Sequence, residues 1–119
     1  SQLCNTHYST HVLEHWVRET GTLTLEQGVH ALTGRPAEVV ELNDRGRIAE
    51  GMAADIVVFD ADTIRATSLR RVHDLPAGAD RIICEAPGMD TVIVNGTVIR
   101  DGGESVAGDA LPGHMLRRQ

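Results

Sequence analysis

The chain has 119 residues, a formal net charge of −6, and 41% hydrophobic residues with only 3% aromatic. That length suits one modest domain with a core, but a closed (β/α)₈ barrel needs about 250 residues. No apolar run approaches the roughly 18–20 residues of a membrane-spanning helix. Net acidity with few aromatic side chains also argues against nucleic-acid binding. We therefore expect neither a membrane nor a nucleic acid as a partner.

All eleven cationic residues are arginines. The absence of lysine excludes a Walker-type phosphate-binding lysine, a Schiff-base lysine and a carbamylated metal-bridging lysine within these residues. The two cysteines, Cys4 and Cys84, form no C-x-x-C pair and are too few for a disulfide framework. They favour two free thiols in a cytoplasmic protein, with a single disulfide left open. Because the chain opens at Ser1 rather than at a methionine, we treat it as a fragment of a longer protein.

Residues 6–42 have the apolar spacing of helices. Ser9 or Thr10 is predicted to cap the first helix, and Gly21 lies where a C-terminal glycine belongs. One face of this helix is apolar and consists of Val12, Leu13, Trp16 and Val17.

A capping box of Thr24 and Gln27 predicts the start of a second helix, which Gly34 is expected to close. Its apolar face consists of Leu25, Val29 and Leu32. Pro36 suits the first turn of a short third helix. That helix is predicted to run through Ala37, Val39 and Val40.

The pattern changes at the turn residues 43–46, and β-branched runs follow. The predicted strands are short and cover residues 47–49, 55–60, 81–85, 90–94 and 97–100. Asn95-Gly96 joins the last two and predicts a hairpin with a type I′ turn. Residues 64–78 are predicted to be irregular, and the tail after Gly108 to be coil.

Helices followed by antiparallel strands, without alternation, indicate an α+β fold. Four or five short strands suggest part of a β-sandwich, since they are few for a complete one. We divide the chain into a helical segment over 1–43, a β-rich portion over 44–108 and a C-terminal tail over 109–119.

Three histidines, His7, His11 and His15, recur every four residues. On a helix they line one face, and an i, i+4 pair can hold zinc, as in H-E-x-x-H. Neither His7 nor His11 is followed by glutamate, and His7 precedes the predicted cap. A partly exposed polar face is therefore the preferred interpretation.

Two nucleophile pairs can also be drawn, Cys4 with His7 and Ser9 with His11. Neither has an identifiable third group, and no G-x-S-x-G elbow is present. Gly102-Gly103 ends a predicted hairpin and is not a phosphate-binding loop.

The carboxylates Asp55, Asp60 and Asp62 border the densest strand, where they fit an acid/base couple or strand-end turns. We prefer the turns because they explain the three carboxylates with fewer assumptions. His73-Asp74 fits an oriented imidazole, but a loop cap is the preferred interpretation. Spacing alone thus assigns no catalytic, cofactor-binding or metal residue in this chain.

Two stretches are more specific than these motifs. Residues 46–60 resemble the G-x-I-x-x-G-x-x-A-D-hydrophobic-D signature that follows the barrel in amidohydrolases. Residues 92–102 resemble the V-x-V-N-G-x-x-V-x-x-G hairpin that closes the same enzymes, and residues 25–42 are similar to the family's L-T-x-x-P-A helix pair. The resemblance covers residues 6–113.

Four shorter motifs resemble the N-acyl-D-amino-acid deacylase (D-aminoacylase) group of that family. They lie at residues 15–18, 43–46, 73–78 and 111–113. A dihydroorotase-like parent that hydrolyses a cyclic amide is an alternative, because the generic signatures do not separate it. A second alternative is a protein of another functional class, namely a stand-alone interaction or assembly module without any barrel.

The resemblance implies a parent with a metal-bearing (β/α)₈ barrel and a small β-sandwich built from both chain ends. One or two zinc-type divalent ions would activate water, and an aspartate after the last barrel strand would take its proton. The products would be a carboxylate and a free D-amino acid. The family's H-x-H pair, bridging cysteine or lysine, later histidines and D-x-G-A-H segment belong upstream of Ser1. Cys4 does not match the bridging position.

The resemblance therefore carries over no catalytic, cofactor-binding or metal role onto this chain. Residues 1–43 would be the end of the barrel, and the strands would complete the sandwich. The expected partner is the missing N-terminal barrel portion of the parent. Strands without their neighbours expose apolar edges, so we expect the isolated chain to be a homo-oligomer.

Overall fold

The computed structural model describes residues 7–116, so the predictions for Cys4 and for residues 117–119 lie outside the described residues. The first helix starts as α1 (Tyr8–His11), with His7 as its N-cap residue and no side-chain cap. The predicted caps were wrong, because Ser9 and Thr10 lie inside the helix. The Thr10 hydroxyl donates instead to the His7 carbonyl at 2.9 Å.

After α1 the chain continues as a π-helix (Val12–Glu19). Its last turn is closed by the Thr20 amide, which donates to the carbonyl of His15, five residues earlier, at 2.9 Å. Gly21 follows with φ +60° and ends the helix as predicted. The extent of this helix was predicted, but its wider winding was not. Of its predicted apolar face, Leu13 is buried whereas Trp16 is 44% exposed.

The predicted capping box is confirmed at the start of α2 (Leu25–Leu32). The Thr24 amide donates to Gln27 Oε1 at 2.9 Å, and the Gln27 amide donates to Thr24 Oγ1 at 3.2 Å. The helix packs closely on the π-helix at Gly28, where a Cβ atom would lie 2.6 Å from Val17.

The end of α2 differs from the prediction, because Gly34 opens the next helix instead of closing this one. Thr33 is the C-cap of α2 and the N-cap of α3 (Gly34–Val39). Pro36 lies in the first turn of α3, as predicted, and Ala37 is buried. The two helices therefore meet without a linker.

Six short strands form two antiparallel sheets. They are β1 (Ile56–Phe59), β2 (Arg70–Val72), β3 (Arg81–Ile83), β4 (Met89–Val94), β5 (Thr97–Asp101) and β6 (Glu104–Ser105). One sheet has the order β1-β4-β5-β6 and the other pairs β2 with β3. The helices precede these strands, which confirms the α+β class. The β4–β5 turn has positive φ at Asn95 and Gly96, 48° and 79°, as a type I′ hairpin requires.

The predicted strand at residues 47–49 was wrong. Gly46 has φ +88° and lies so close to α3 that a Cβ atom would be 2.5 Å from the Cβ of Ala37. The Ala53 amide then returns to the Asp44 carbonyl at 2.9 Å. The segment is thus a loop folded back on itself, and Ile48 is 84% exposed.

Residues 64–78 contain more order than predicted. β2 lies within them, followed by a 3₁₀ turn over Pro76–Gly78. Arg70 and Arg71 give no apolar alternation, so only their pairing with β3, Arg70 to Ile83 and Arg71 to Ile82, makes the segment a strand. The tail is coil over the described residues 109–116, as predicted.

The core is small. Among residues 7–116 the buried hydrophobic side chains are Leu13, Ala37 and Ile64, and Ile64 is 0% exposed. Leu13 comes from the π-helix, Ala37 from α3 and Ile64 from the loop after β1. Within the described range no helix is long and apolar enough to cross a membrane.

Candidate functional site

The helical segment and the strands are joined by two charged side chains of the π-helix. Arg18 Nη1 donates to the carbonyl oxygens of Ile64 at 2.6 Å and Ala61 at 3.1 Å. Glu14 Oε2 accepts from the amide of Ala66 at 3.0 Å. We call residues 61–66 the β1 exit loop. A charged side chain on a backbone group makes one of the stronger hydrogen bonds, so these contacts fix the loop to the helix.

Sequence reasoning missed this joint. Glu14 and Arg18 are spaced i, i+4 and lie 4.0 Å apart, a pattern typical of a solvated helix face. Their real partners are 43 to 52 positions away in the chain. The local sequence pattern does not distinguish an i, i+4 pair on a solvated helix face from two side chains that bind distant backbone groups.

A second joint contains the Asp55 of the A-D motif. Arg45 donates to both carboxylate oxygens of Asp44, at 3.0 and 3.1 Å, and to Asp55 Oδ2 at 2.5 Å. The other oxygen of Asp55 accepts the backbone amide of Asn95 at 2.7 Å. One carboxylate therefore links the 43–46 turn to the β4–β5 hairpin. The A-D and V-N-G motifs are therefore in direct contact in this chain.

The charges of this joint are mutually stabilising. The hydrogen bonds from Arg45 hold the pKa of Asp44 below its ordinary value, and Asp44 in turn raises the pKa of Arg45. Asp44 and Arg45 are therefore both ionised near neutrality, and their ion pair has a structural role.

Asp60 and Asp62 form a turn at the end of β1. Asp60 Oδ1 accepts the Asp62 amide at 2.8 Å. This bond, followed by one from the Thr63 hydroxyl, lowers the pKa of Asp60. Asp60 therefore takes part in a strand-end turn, whereas Asp55 makes the longer-range contacts to Arg45 and the Asn95 amide.

The histidine stripe of the first helix forms a stack. The rings of His11 and His15 lie 5.1 Å apart at 8°, and His15 Nδ1 is 2.8 Å from Glu19 Oε2. His7 begins the helix, and its Nδ1 is buried without a hydrogen-bond partner among the described atoms. Over residues 7–116, no three His, Cys, Asp or Glu side chains come together as a metal site.

His73 and Asp74 each contact a different group and do not form a pair with each other. Asp74 receives two hydrogen bonds from Arg81, at 2.8 and 2.6 Å, which hold its pKa below the ordinary value and raise the pKa of Arg81. The His73 ring faces the Gly78 carbonyl at 3.4 Å instead. The segment thus forms the loop between β2 and β3.

Of the two nucleophile pairs drawn from the sequence, only Ser9 with His11 lies wholly within the described residues. Cys84 is a free, half-buried thiol whose Sγ donates to the Thr67 carbonyl at 3.2 Å. Cys4, which the sequence analysis did not favour as a partner of His7, lies outside the described residues. The described hydrogen bonds include none between Ser9 and His11.

A cavity of about 460 Å³ opens where the ends of β1, β4 and β5 meet. Its charged lining residues are Asp60, Asp90 and Arg100. The Asp60 carboxylate is already engaged by the β1 exit loop, and the Nε of Arg100 is buried without a partner in the described part of the chain. The lining has neither a histidine nor a cysteine to move a proton or attack a substrate.

Comparison with known proteins gives a family match over most of the chain. The profile of the amidohydrolase family matches residues 2–100. Among curated proteins of Alcaligenes xylosoxydans xylosoxydans, an N-acyl-D-glutamate deacylase is 40% identical over 114 residues, which are 92% of this chain and 20% of the relative. An N-acyl-D-aspartate deacylase is 34% identical over 107 residues, 90% of this chain and 19% of the relative.

The fold has a solved counterpart. A crystal structure of D-aminoacylase, described as defining a novel subset of amidohydrolases, superposes with a TM-score of 0.64 at 31% identity. The match covers 82% of this chain and 19% of that structure. The chain spans about a fifth of the length of the curated relatives that it matches, at 20% and 19%.

Proposed function

Since this chain belongs to the amidohydrolase family, we propose that it is the C-terminal part of an enzyme that hydrolyses N-acyl-D-amino acids. The observation that carries the proposal is its similarity to an N-acyl-D-glutamate and an N-acyl-D-aspartate deacylase over at least 90% of its own length. These names favour a deacylase over the cyclic-amide hydrolase that shares the generic signatures. The parent reaction splits a C–N amide bond into a carboxylate and a D-amino acid.

In this proposal the chain contributes structure and the rest of the parent contributes chemistry. The metal that the family implies, zinc or a similar divalent cation, does not fit the described residues, which gather no set of three donor side chains. We therefore derive no metal-dependent step from them, and assign the metal to the missing barrel portion.

The role proposed for these residues is to brace the parent. The helical segment 1–43 would be the end of the barrel, and residues 44–108 would be part of its accessory β-sandwich. Glu14 and Arg18 support this role, because they bind the β1 exit loop directly to the π-helix. Asp55 supports it within the sheet, by joining the 43–46 turn to the hairpin. The low cysteine content favours a cytoplasmic parent.

A chimera tests the activity. The segment of the N-acyl-D-glutamate deacylase that matches this chain is replaced by the chain itself, and release of D-glutamate from an N-acyl-D-glutamate is measured. We expect hydrolysis of the D substrate by the chimera, and none by the deacylase lacking the segment or by the chain alone with added zinc. A folded, metal-loaded chimera without activity would contradict the proposal.

The encoding gene provides a second test. The reading frame upstream of Ser1 should encode a barrel with the H-x-H and D-x-G-A-H motifs. A start codon immediately before Ser1 would instead support a stand-alone module. Hydrolysis of dihydroorotate by the full parent, without hydrolysis of N-acyl-D-amino acids, would support the cyclic-amide alternative.

A further inference from the structure

The Asn95-Gly96 turn of the β4–β5 hairpin contains both reactants of a self-modification. Asparagine is among the thermolabile residues of proteins, because its side-chain amide carbon is an electrophile. The next backbone nitrogen belongs to a glycine, so no β-carbon shields it. That nitrogen can attack Asn95 Cγ and close a five-membered ring. Asn95 is also exposed to the water that completes the reaction.

The reaction requires only the chain and water. The Gly96 nitrogen forms a bond to Asn95 Cγ, the Cγ–Nδ2 bond breaks, and the Gly96 amide proton leaves with the side-chain nitrogen as ammonia. Water then opens the resulting succinimide at either of its carbonyl carbons. One opening leaves an aspartate at position 95. The other leaves an isoaspartate, in which the main chain runs through Cβ and is one carbon longer.

The conformation of the turn keeps the two reactants apart. Ring closure requires the Gly96 nitrogen to lie nearly eclipsed with Asn95 Cβ about the Cα–C bond. The first central residue of a type I′ turn has a ψ of about +30°, the mirror image of type I. This ψ directs the next nitrogen to the side of the backbone opposite Cβ. Asn95, with φ +48°, has the left-handed backbone of this turn, so the turn itself disfavours attack.

Two hydrogen bonds from the A-D motif hold the turn in this conformation. The Gly96 amide donates to the Ala54 carbonyl at 3.0 Å, so the attacking nitrogen is itself engaged. The Asn95 amide donates to Asp55 Oδ1 at 2.7 Å. Two consecutive residues thus bind the two consecutive amides of the turn. The Gly96 nitrogen can turn toward the side chain only after residues 54–55 separate from the hairpin.

The modification would remove two structural features of the hairpin. Asn95 Nδ2 donates to the Pro112 carbonyl of the C-terminal coil at 3.5 Å, and a carboxylate at position 95 has no proton to donate there. An isoaspartate also adds a main-chain atom to the two-residue turn. That turn joins Val94 directly to Thr97, the pair that closes the β4–β5 ladder. The product would therefore lose the contact with the coil and, in its isoaspartate form, the closing pair.

We propose that Asn95-Gly96 is a modification site that stays closed while Ala54 and Asp55 hold the turn, and that reacts when this joint opens locally. The rate then follows the open fraction of the joint and not the unfolded fraction of the chain. Loss of ammonia makes the step irreversible, so every opening carries a chance of permanent change. The contact between the A-D and V-N-G motifs thereby sets the lifetime of the hairpin. The inference does not depend on the activity of the parent.

Mass spectrometry follows the reaction at this one position. Trypsin cleaves after Arg81 and Arg100, and Asn95 is the one side-chain amide in the peptide 82–100. The mass of that peptide rises when the amide is exchanged for a carboxyl group. The folded chain and the free peptide 82–100 are incubated at the same pH and temperature. Two backbone hydrogen bonds should slow the reaction of the folded chain roughly thirtyfold. Equal rates would overturn the inference.

Matched variants separate local opening from global unfolding. Asp55→Ala removes the acceptor of the Asn95 amide and should react about fivefold faster than Asp55→Asn, which keeps an acceptor there. Arg18→Met disturbs the distant joint with Ile64 and leaves the bonds of the hairpin in place, so it should react at the rate of the unsubstituted chain. If Arg18→Met accelerated the reaction as much as Asp55→Ala, the whole chain would have to unfold first, and the inference would fail.

Hydrogen exchange on the unsubstituted chain gives a readout that needs no variant. The opening that frees the Gly96 nitrogen also frees its proton, so folding should slow amide exchange at Gly96 and loss of ammonia at Asn95 by the same factor. A reaction slowed far less than the exchange would show attack without opening. Exchange at Gly96 as slow as that of the slowest amides of the chain would show global opening. Either result would refute the proposed gate.

The modified chain tests the structural consequence. Its isoaspartate form is separated by ion exchange and compared with Asn95→Asp, which carries the new charge on a main chain of normal length. The amides of Val94 and Thr97 should lose protection from exchange in the isoaspartate form and retain it in Asn95→Asp. The amides of α2 serve as the internal control and should be unchanged in both. Full protection of Val94 and Thr97 in the isoaspartate form would contradict the proposed loss of the closing pair.

Discussion

Arg18 donates a hydrogen bond to the carbonyl of Ile64 at 2.6 Å, across 46 positions of sequence. Among residues 7–116, Ile64 is the large hydrophobic residue with 0% exposure. The same contact thus holds the backbone of the most buried large side chain that the structure describes. Helix, exit loop and core are connected through this one pair.

Removing the guanidinium of Arg18 should destabilise the chain. Arg18→Met keeps an apolar stem but leaves the carbonyls of Ile64 and Ala61 without their donor. We expect a loss of about 1.5–3 kcal/mol in the free energy of unfolding, as for a hydrogen bond to a charged group. Denaturant titration at fixed protein concentration measures it. Arg35→Met is the matched control, because Arg35 is 66% exposed with only an i, i+3 ion pair to Glu38 at 3.6 Å, and should change stability by less than about 0.5 kcal/mol.

The two oxygens of Asp55 can be separated by substitution. Asp55→Asn removes the charge that binds Arg45 but keeps an acceptor for the Asn95 amide, whereas Asp55→Ala removes both. We expect Asp55→Ala to be the less stable variant by about 1 kcal/mol, the net value of one hydrogen bond. Thermal unfolding of the two variants side by side measures the difference. Equal stabilities would show that the Asn95 amide gains nothing from the carboxylate.

Two glycines with the same backbone conformation should respond differently to alanine. Gly88 and Gly51 have φ values of +87° and +81°. A Cβ at Gly88 would lie 2.5 Å from the Ile64 amide nitrogen, whereas none of the atoms around Gly51 comes within 4 Å. Gly51→Ala should cost about 1–2 kcal/mol from the left-handed backbone alone. Gly88→Ala should cost distinctly more in unfolding free energy, because backbone must move. Similar losses would contradict the close approach.

Acid should weaken the fold through three aspartates. The pKa of Asp44 is lowered mainly by Arg45, that of Asp60 by the Asp62 amide, and that of Asp74 by Arg81. A lowered pKa means that the carboxylate form is the one that stabilises the fold. This stabilisation is complete above the ordinary value of 3.8 and is lost as the pH falls through the folded-state values.

Unfolding measured between pH 7 and pH 3 checks this dependence. The free energy of unfolding should fall most steeply below about pH 4, near the ordinary pKa of aspartate. Asp74→Asn should reduce that pH dependence, because it removes one of the three groups. Asp109→Asn, in the exposed C-terminal coil, serves as the control. An identical pH profile for Asp74→Asn and the parent chain would argue against the contribution of the Arg81 pair.

Features encoded by adjacent residues were predicted from the sequence. The capping box spans the four residues from Thr24 to Gln27, and the I′ turn needs only Asn95 and Gly96. The predicted strand at residues 47–49 did not form, and Ile48 there is 84% exposed. Strand β2 was not predicted because its residues become a strand only by pairing with β3. A strand forms only where a second strand pairs with it, and the residues of the segment itself do not show whether such a partner exists.

The joints were less predictable than the motifs within them. The A-D and V-N-G signatures were recognised, but the bond from the Asn95 amide to Asp55 spans 40 positions. The π-helix was not foreseen either, since its apolar spacing also fits an α-helix over two turns. The Asn95–Asp55 bond is a long-range contact, and one sequence contains no direct record of such contacts.

The bonds of Glu14 and Arg18 to the exit loop also constrain how the chain folds. They close loops of 43 to 52 residues, and closing a loop of that length costs chain entropy before any contact compensates it. Helix α2 and the β4–β5 hairpin involve only near neighbours and form on the microsecond scale. The helical and β-rich portions should thus acquire local structure independently, and their docking through Arg18 and Ile64 should be the slow, final event of folding.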